Sequence, residues 1–281
     1  MNTNNVAPNQ PLLSLRSVTV EFGPGAIPRV LGAKPFRAVD EVSFEVAPGE
    51  TFGIVGESGS GKSTTARTIV GLESAVSGSI HYSGIDLNRL RGRDRTRVAR
   101  EIQMVFQDPS AALNPKLRIG HLIGERVKIH RPSEYGDRVA IMRAALDEVG
   151  LPHKHLERFP HQLSGGQQQR VVIALALISN PRMLICDEAV SGLDVSSQAQ
   201  VLNLLNDLKR EHELSIIFIT HDMGVARYIS DEIAVMRNGI IVEQQPADEI
   251  FANPKCEYTK TLLAAVPTLA TSARDNFSTT L

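Results

Sequence analysis

Residues 56–63 read Gly-Glu-Ser-Gly-Ser-Gly-Lys-Ser, a spacing of glycine, lysine and serine that is typical of a loop that binds phosphate. Glycine lets the backbone curl so that successive N–H groups point at one anion, and a helix that follows adds its partial positive charge there. Lys62 is long enough to reach the β- and γ-phosphates of a nucleotide, and the Ser63 hydroxyl is a suitable ligand for Mg²⁺. The residues that this pattern predicts for nucleotide binding are Gly56, Glu57, Ser58, Gly59, Ser60, Gly61, Lys62, Ser63 and Thr64.

The segments on either side of this phosphate loop match the setting that such a loop needs. Residues 51–55 are a short apolar run that predicts a buried strand, and residues 64–70 predict a helix. A chance glycine-rich turn is the plainer alternative for the loop alone. Strand, glycine loop and helix in this order favour phosphate binding over that alternative.

Polar side chains also follow other predicted strands at their carboxyl ends, where ligands bind in open α/β sheets. In chain order these are Gln107 after residues 102–106, Asp187 and Glu188 after 183–186, and His221 after 215–220. A carboxylate beside the phosphates can hold Mg²⁺, usually through water, and a second carboxylate can orient or deprotonate the attacking water. Gln107 can contact the metal or that water, and His221 can hydrogen-bond a γ-phosphate. Taken singly, each residue has a plainer interpretation as an exposed loop residue or a structural histidine.

A second helix start suited to an anion lies at residues 163–167, which read Leu-Ser-Gly-Gly-Gln. Ser164 can cap the helix that follows, and the two glycines leave backbone N–H groups open to an anion. One nucleotide in one subunit has no evident need for two such sites.

Composition limits the classes of protein to which this chain can belong. Its 281 residues suffice for a large domain, and 30 lysines and arginines against 31 aspartates and glutamates give no electrostatic reason to expect nucleic acid as a partner. Cys186 and Cys256 have no metal-type spacing and do not indicate a disulfide framework, which favours a reducing cytoplasm. The N-terminus lacks the features of a signal peptide, and the longest apolar run, residues 171–178, is too short to span a bilayer.

The rest of the pattern predicts an α/β fold with a mixed sheet. An antiparallel β piece, with strands at 13–22 and 38–46 joined by a turn-rich loop at 23–35, precedes the strand of the phosphate loop. Helical periodicity broken by prolines predicts an α-helical subdomain at about 110–165, inserted between strands of the core. A hairpin is expected to turn at residues 238–239, which are Asn and Gly.

Phe22 is a candidate to stack on the face of an adenine ring. A phenylalanine in the core is an equally good interpretation, and Phe36 is a second candidate for the stacking role. The ends of the chain, residues 1–11 and 268–281, are polar or rich in serine and threonine, which predicts disordered tails.

Together and in this order, these features resemble the ATP-binding subunits of ABC transporters over nearly the whole chain. The matching pieces are the phosphate loop at 56–63, Gln107, Leu-Ser-Gly-Gly-Gln at 163–167, Met-Leu-Ile-Cys-Asp-Glu at 183–188, Ser-Gly-Leu-Asp at 191–194, and His221. The resemblance implies a P-loop NTPase fold of the ABC ATPase type at residues 12–267. It also implies ATP and Mg²⁺ as cofactors, and ATP hydrolysis that is coupled to solute transport.

In that family two subunits pack head to tail, and each ATP lies between the phosphate loop of one and the signature motif, here residues 163–167, of the other. By this resemblance Glu188 is the catalytic base, assisted by His221 and Gln107, while Ser63, Gln107 and Asp187 serve the metal. Ser164, Gly165, Gly166 and Gln167 would contact the nucleotide of the partner subunit, Asp194 would couple the two subunits, and Phe22 would contact adenine.

Two stretches are similar to the peptide-importer branch of the family: residues 105–109 with 113–115, and a C-terminal extension at about 246–267. That branch imports dipeptides and oligopeptides, and its relatives import nickel or opines. The partners implied are transmembrane permease subunits, a second ATPase subunit of the same or a sibling chain, and, indirectly, an extracytoplasmic solute-binding protein. No nucleic acid is implied, and the location implied is the cytoplasmic face of the inner membrane.

The chain departs from the family pattern at two positions. Ala189 stands where proline usually follows the glutamate, which puts the rigidity of that turn in question. Cys256 stands where the tail motif often has histidine, and two cysteines cannot supply the four ligands that an iron–sulfur cluster usually takes.

Two other functions are compatible with a phosphate loop. A soluble ABC ATPase that acts on DNA or ribosomes is one, but this sequence does not show the long coiled-coil insertions or paired ATPase domains of that class. A nucleotide sensor without catalysis is the other, and the complete set of catalytic positions disfavours it.

Overall fold

The computed structural model describes residues 10–23 and 35–265. The predicted tail at 1–11 lies outside these residues apart from its last two positions, and the tail at 268–281 lies outside them entirely. Most of the turn-rich loop at 23–35 and the end of the C-terminal extension also lie outside the described residues.

The described chain contains both strands and helices. The strands are β1 (Leu13–Phe22), β2 (Phe36–Val46), β3 (Thr51–Val55), β4 (Ser77–Tyr82), β5 (Ile85–Asp86), β6 (Ile102–Val105), β7 (Met183–Asp187), β8 (Ser215–Thr220), β9 (Glu232–Arg237) and β10 (Ile240–Pro246). The α-helices are α1 (Lys62–Ile69), α2 (Gly92–Glu101), α3 (Pro109–Ala112), α4 (Ile119–His130), α5 (Arg138–Glu148), α6 (Gly165–Leu177), α7 (Val195–His212), α8 (Met223–Ile229), α9 (Ala247–Ala252) and α10 (Glu257–Ala264). These elements confirm the mixed α/β class that the sequence predicts.

The described chain divides into two compact units. The first contains the described residues up to Arg95 and from Ser215 onward, and the second spans Thr96–Leu214. The second unit begins before and ends after the helical subdomain predicted at 110–165, so the boundaries of that subdomain stay a prediction. Helices α3, α4 and α5 do lie within the predicted range.

An antiparallel sheet forms the N-terminal part of the first unit, in the order β2-β1-β4-β5. Strand β1 contributes buried apolar side chains to the core of this unit, among them Leu13, Val18 and Val20. The second strand begins at Phe36, two residues before the predicted start, because Phe36 still pairs with Phe22 at the end of β1. The predicted antiparallel piece is therefore confirmed.

The strand that precedes the phosphate loop, β3, lies between two parallel neighbours in the first unit, β8 and β9. All residues of β3 and β8 are buried, which is the apolar pattern of strands covered on both faces. In the register of this pair, Val55 lies opposite Thr220. The phosphate loop and His221, which come directly after those residues, therefore leave the sheet at the same edge.

The hairpin between β9 and β10 turns where the sequence predicts it. Asn238 and Gly239 have φ angles of 50° and 85°, the left-handed pair that a two-residue hairpin needs. The backbone N–H of Gly239 donates to the carbonyl oxygen of Ser60 at 2.9 Å, so this turn also supports the phosphate loop.

In the second unit, β6 and β7 pair in parallel, with Val105 opposite Cys186. The apolar run at 171–178 belongs mainly to α6, where its side chains are buried, so the run is a core helix. No helix in the part of the chain that the structure describes is both long enough and apolar enough to cross a membrane.

Candidate functional site

The backbone of the phosphate loop has a shape that only glycine permits at two positions. Gly61 has a φ of +107°, and a Cβ atom there would lie 2.4 Å from the carbonyl oxygen of Ala38. At Gly56, a Cβ atom would lie 2.1 Å from the carbonyl oxygen of Met236. The spacing of glycines in the sequence is therefore required by close backbone packing as well as by the curvature of the loop.

Lys62 is buried and folds back along the loop from the first residue of α1. Its Nζ atom donates to the carbonyl oxygens of Gly56 and Glu57 at 2.7 and 2.8 Å, and lies 3.4 Å from the Ser60 hydroxyl. These contacts place a positive charge beside the backbone N–H groups of the loop. The site is thus suited to a polyanion.

The start of α1 keeps its positive character. Gly61 is its N-cap residue and makes no capping hydrogen bond from a side chain, and the first turn contains no acidic residue. The partial positive charge of a helix N-terminus is therefore available at the phosphate loop. Ser63 lies in this first turn and is half-buried.

His221 is exposed and follows β8 at the same edge as the phosphate loop. The next residue, Asp222, caps α8 by accepting hydrogen bonds from the N–H groups of Gly224 and Val225 at 2.7 and 3.1 Å. This cap fixes the backbone on the C-terminal side of His221. The histidine is therefore held between a buried strand and a capped helix.

Gln107 and Glu188 are brought together in the second unit by the pairing of β6 with β7. The Nε2 atom of Gln107 donates to the Glu188 carboxylate, 3.0 Å from Oε2. Gln107 is exposed, while Glu188 is half-buried. The two residues therefore form one polar group at the end of this strand pair.

Glu188 itself has a left-handed backbone, with a φ of +50°. Its carbonyl oxygen accepts hydrogen bonds from the N–H and the hydroxyl group of Ser191 at 3.0 and 2.8 Å. Ala189, between them in sequence, is buried. The turn after Glu188 is thus closed by Ser191 and does not require the proline that the family pattern has at position 189.

Asp187 is the last residue of β7 and is 3% exposed, which is unusual for a carboxylate. The neighbouring Cys186 is fully buried, and this burial raises the pKa of its thiol far above the ordinary value. Cys186 is therefore an unreactive packing residue.

The signature motif is the beginning of α6, as the sequence predicts. The Ser164 hydroxyl accepts the N–H of Gln167 at 3.3 Å, and the Gln167 side chain accepts the N–H of Ser164 at 3.1 Å. This reciprocal pair is a capping box, which fixes the helix start. Ser164 and Gly165 are exposed, so the first turn presents its backbone N–H groups to solvent.

Asp194 is linked to the signature motif through Ser197, a residue that the sequence analysis missed. The Asp194 carboxylate accepts the N–H and the hydroxyl group of Ser197 at 2.8 and 2.7 Å, and these bonds lower the pKa of Asp194. A Cβ atom on Gly166 would lie 3.0 Å from the Cβ of Ser197. The spacing of aspartate and serine, which is that of an N-cap, was the signal available in the sequence.

Phe22 and Phe36 are paired neighbours on β1 and β2. Both are unusually exposed for phenylalanine, at 43% and 66%. Exposure disfavours the interpretation of Phe22 as a core residue. Both rings are accessible for stacking.

The residues assigned to Mg²⁺ fit that ion by their chemistry. Ser63, Asp187 and Gln107 offer hydroxyl, carboxylate and amide oxygens, which are the ligand atoms that Mg²⁺ prefers. Within residues 10–23 and 35–265, no group of three or more histidine, cysteine, aspartate or glutamate side chains could hold a metal by itself.

Comparison with known proteins identifies a family that accounts for these features. Residues 39–191 match the family described as ABC transporter. The chain is 45% identical over 233 residues to the oligopeptide transport ATP-binding protein OppF of Bacillus subtilis. The aligned region covers 82% of this chain and 76% of that protein. It is 48% identical over 238 residues to OppF of Salmonella typhimurium, with coverage of 83% and 70%. It is also 43% identical to the glutathione import ATP-binding protein GsiA of Pectobacterium atrosepticum over 94% of this chain, which spans 42% of GsiA.

Solved structures agree with this family. The ATP-binding cassette MJ0796, solved as a dimer in a post-hydrolysis state bound to ADP and Pi, superposes with a TM-score of 0.71 and 29% identity, covering 84% of this chain and 98% of that one. The cbiO1 protein of Clostridium perfringens, part of the ABC transporter complex cbiONQ, superposes with a TM-score of 0.73 and 26% identity over 86% of this chain and 91% of that one.

Proposed function

Because the chain belongs to the ABC transporter family, we propose that it is the ATP-hydrolysing subunit of an importer for dipeptides or oligopeptides. As a member of this family it binds and hydrolyses ATP. The observation that carries the proposal is the phosphate loop, in which required glycines and a folded-back Lys62 form a cradle for phosphate. Relatives named for oligopeptide and glutathione import favour peptides over nickel, opines, DNA or ribosomes.

The first role of the site is to bind the nucleotide. The backbone N–H groups at the start of α1 and the ammonium group of Lys62 hold the phosphates, and Phe22 or Phe36 stacks on the adenine ring. Ser63, Asp187 and Gln107 would hold Mg²⁺, which supplies positive charge to the transferring phosphoryl group when bound. His221 donates a hydrogen bond to the γ-phosphate.

The second role is to activate water. Glu188 accepts a proton from the water that attacks the γ-phosphate. The hydrogen bond from Gln107 keeps the Glu188 carboxylate oriented at the end of β7. Ser191, through its two bonds to the Glu188 carbonyl oxygen, fixes the backbone from which that side chain extends.

We also propose that a second ATPase subunit completes the site. The exposed first turn of α6, with Ser164 and Gly165, is the second anion site of the chain and would contact the nucleotide of the partner subunit. Asp194 supports this turn through Ser197 and so couples the two subunits. The dimer of MJ0796 supports the arrangement.

The movement that ATP drives would be passed to transmembrane permease subunits, with the chain held at the cytoplasmic face of the membrane. A solute-binding protein outside the membrane would supply the peptide. Since the chain carries no solute site of its own in this scheme, its role is to power the permease.

Uptake of a labelled tripeptide tests the proposed solute. Host cells lacking the chain should lose uptake, the wild-type gene should restore it, and the Glu188→Gln variant should not. Nickel uptake measured in the same cells is the control and should not change. Loss of nickel uptake with normal peptide uptake would contradict the peptide assignment.

A further inference from the structure

The C-terminal segment, defined here as residues 240–264, packs against the strand that leads into the phosphate loop. Ile250 and Tyr258 of this segment share a buried cluster with Val55, the residue that precedes the loop, and with Ile233 of β9. All of these residues belong to the first unit. The segment is therefore part of the structure that surrounds the nucleotide site.

Glu243 on β10 fixes the helix α10 within this segment. Its carboxylate, only 8% exposed, accepts the backbone N–H groups of Lys255 and Cys256 at 2.7 and 3.0 Å. Cys256 is the N-cap residue of α10 and makes no capping bond with its own side chain. Glu243 thus fixes the backbone that leads into α10 from another element, with its negative charge near the positive end of the helix.

Tyr258, in the first turn of α10, reaches the phosphate loop. Its hydroxyl oxygen accepts the backbone N–H of Glu57 at 3.3 Å. Its ring lies under the guanidinium group of Arg237, which is 4.5 Å from the ring centroid, and the residue is 7% exposed. The ring is therefore held between the core cluster and Arg237, and the hydroxyl group is directed at the loop.

The peptide group that joins Gly56 to Glu57 is bound on both sides. The carbonyl oxygen of Gly56 accepts a hydrogen bond from Nζ of Lys62 at 2.7 Å. The N–H of Glu57 donates a hydrogen bond to the hydroxyl oxygen of Tyr258. Because the N–H and C=O of a planar trans peptide point in opposite directions, fixing one end fixes the other. The position of the Lys62 ammonium group is therefore linked to Tyr258 through a single peptide group.

We propose that Tyr258 is a positioning residue of the nucleotide site. Its hydroxyl group sets the orientation of the Gly56–Glu57 peptide and, through it, the place of Lys62, while Glu243 holds the helix that carries Tyr258. This role rests on the proposed ATP-binding function. It gives the C-terminal segment a direct part in nucleotide affinity, although Tyr258 touches neither phosphate nor metal.

Substitution Tyr258→Phe tests the proposal, because it removes the hydroxyl group and keeps the ring. We expect the Kd for MgATP to rise about two- to tenfold, the effect of losing one hydrogen bond, while kcat at saturating ATP stays within about twofold. Tyr82→Phe is the matched control, since Tyr82 is a buried tyrosine on β4 of the same unit. It should leave the Kd for MgATP unchanged.

Hydrogen exchange of the Glu57 amide separates this proposal from the proposed function. In the protein without nucleotide, the exchange of this amide should become faster in Tyr258→Phe and should not change in Tyr82→Phe. An unchanged Kd in Tyr258→Phe, or an equal rise in Tyr82→Phe, would overturn the positioning role while leaving ATP binding intact. A wild-type chain that does not bind ATP would instead defeat the proposed function, and unchanged exchange of the Glu57 amide would defeat the hydrogen bond itself.

Discussion

The side-chain amide of Gln107 donates a hydrogen bond to the carboxylate of Glu188, although 81 positions separate the two residues. The contact exists because β6 and β7 are parallel neighbours, so that the residues after them meet at one edge. It places the proposed catalytic base beside a residue that is also suited to Mg²⁺. The arrangement leads to a first prediction about catalysis.

Substitution Glu188→Gln should separate binding from hydrolysis. A glutamine keeps the shape of the side chain but cannot accept the proton of the attacking water, so kcat should fall by about 100-fold or more. The Kd for MgATP, measured by titration, should stay close to that of the wild type. Glu211→Gln, at an exposed position of α7, is the control and should hydrolyse ATP normally. Undiminished turnover in Glu188→Gln would refute the role of Glu188 as the base.

Substitution Lys62→Ala should weaken nucleotide binding itself. Hydrogen bonds to charged groups contribute about 1.5–3 kcal/mol, so the Kd for MgATP should rise about 10- to 100-fold. Lys128→Ala removes an exposed lysine from α4 and serves as the control. Equal affinities in the two variants would show that Lys62 does not contact the phosphates.

Glycine at position 61 should be required for stability as well as for binding. The φ of +107° would strain the backbone of Gly61→Ala, and the Cβ atom of the alanine would lie 2.4 Å from the carbonyl oxygen of Ala38. The left-handed backbone alone costs about 1–2 kcal/mol, and the clash adds to it. Gly136→Ala, where a Cβ atom meets no atom within 4 Å, should unfold in urea like the wild type. Equal unfolding free energies in the two variants would contradict this account of the loop.

The charge of Glu243 should contribute to stability in a way that depends on pH. Burial alone would raise the pKa of this carboxyl group, but hydrogen bonds, chiefly from the Lys255 N–H, lower it below the ordinary value. The Glu243 carboxyl group therefore binds its proton more tightly in the unfolded chain than in the folded one. Its contribution to the free energy of unfolding is fully present above the unfolded pKa of about 4.3 and is lost as pH falls through the folded pKa.

Urea unfolding of Glu243→Gln at several pH values tests this assignment. The stability gap between the wild type and this variant should be largest near neutral pH and should shrink as pH falls below about 4.3. Glu249→Gln, at an exposed position of α9, should show no such gap. A gap that grows toward low pH would have the wrong sign for a carboxylate that is stabilised in the folded state.

Local features of this chain could be predicted from its sequence, because they depend on neighbours along the chain. The strand at 51–55, the cap of α6 by Ser164 and the turn at 238–239 all follow from short spacings of residue types. Helix α7 begins at Val195, because the Asp194 carboxylate accepts the Ser197 N–H and caps the helix, which is again a short spacing of residue types.

Contacts between distant residues could not be predicted in the same way. The bond between Tyr258 and Glu57 joins positions 201 apart, and no periodicity in the sequence encodes it. Gly166 packs against Ser197 for a similar reason, because two helix starts meet in the fold. The role of Glu188 as the catalytic base is a prediction that the Glu188→Gln variant tests.

The most direct test of the account is ATP turnover by a Ser164→Arg variant, purified together with its copurifying membrane subunits. Arginine at this exposed helix start would block the contact with the nucleotide of the partner subunit, while the phosphate loop stays intact. The account predicts normal ATP affinity at the loop, a normal circular dichroism spectrum, and a loss of phosphate release. Phosphate release at the full wild-type rate by the purified Ser164→Arg complex would contradict it.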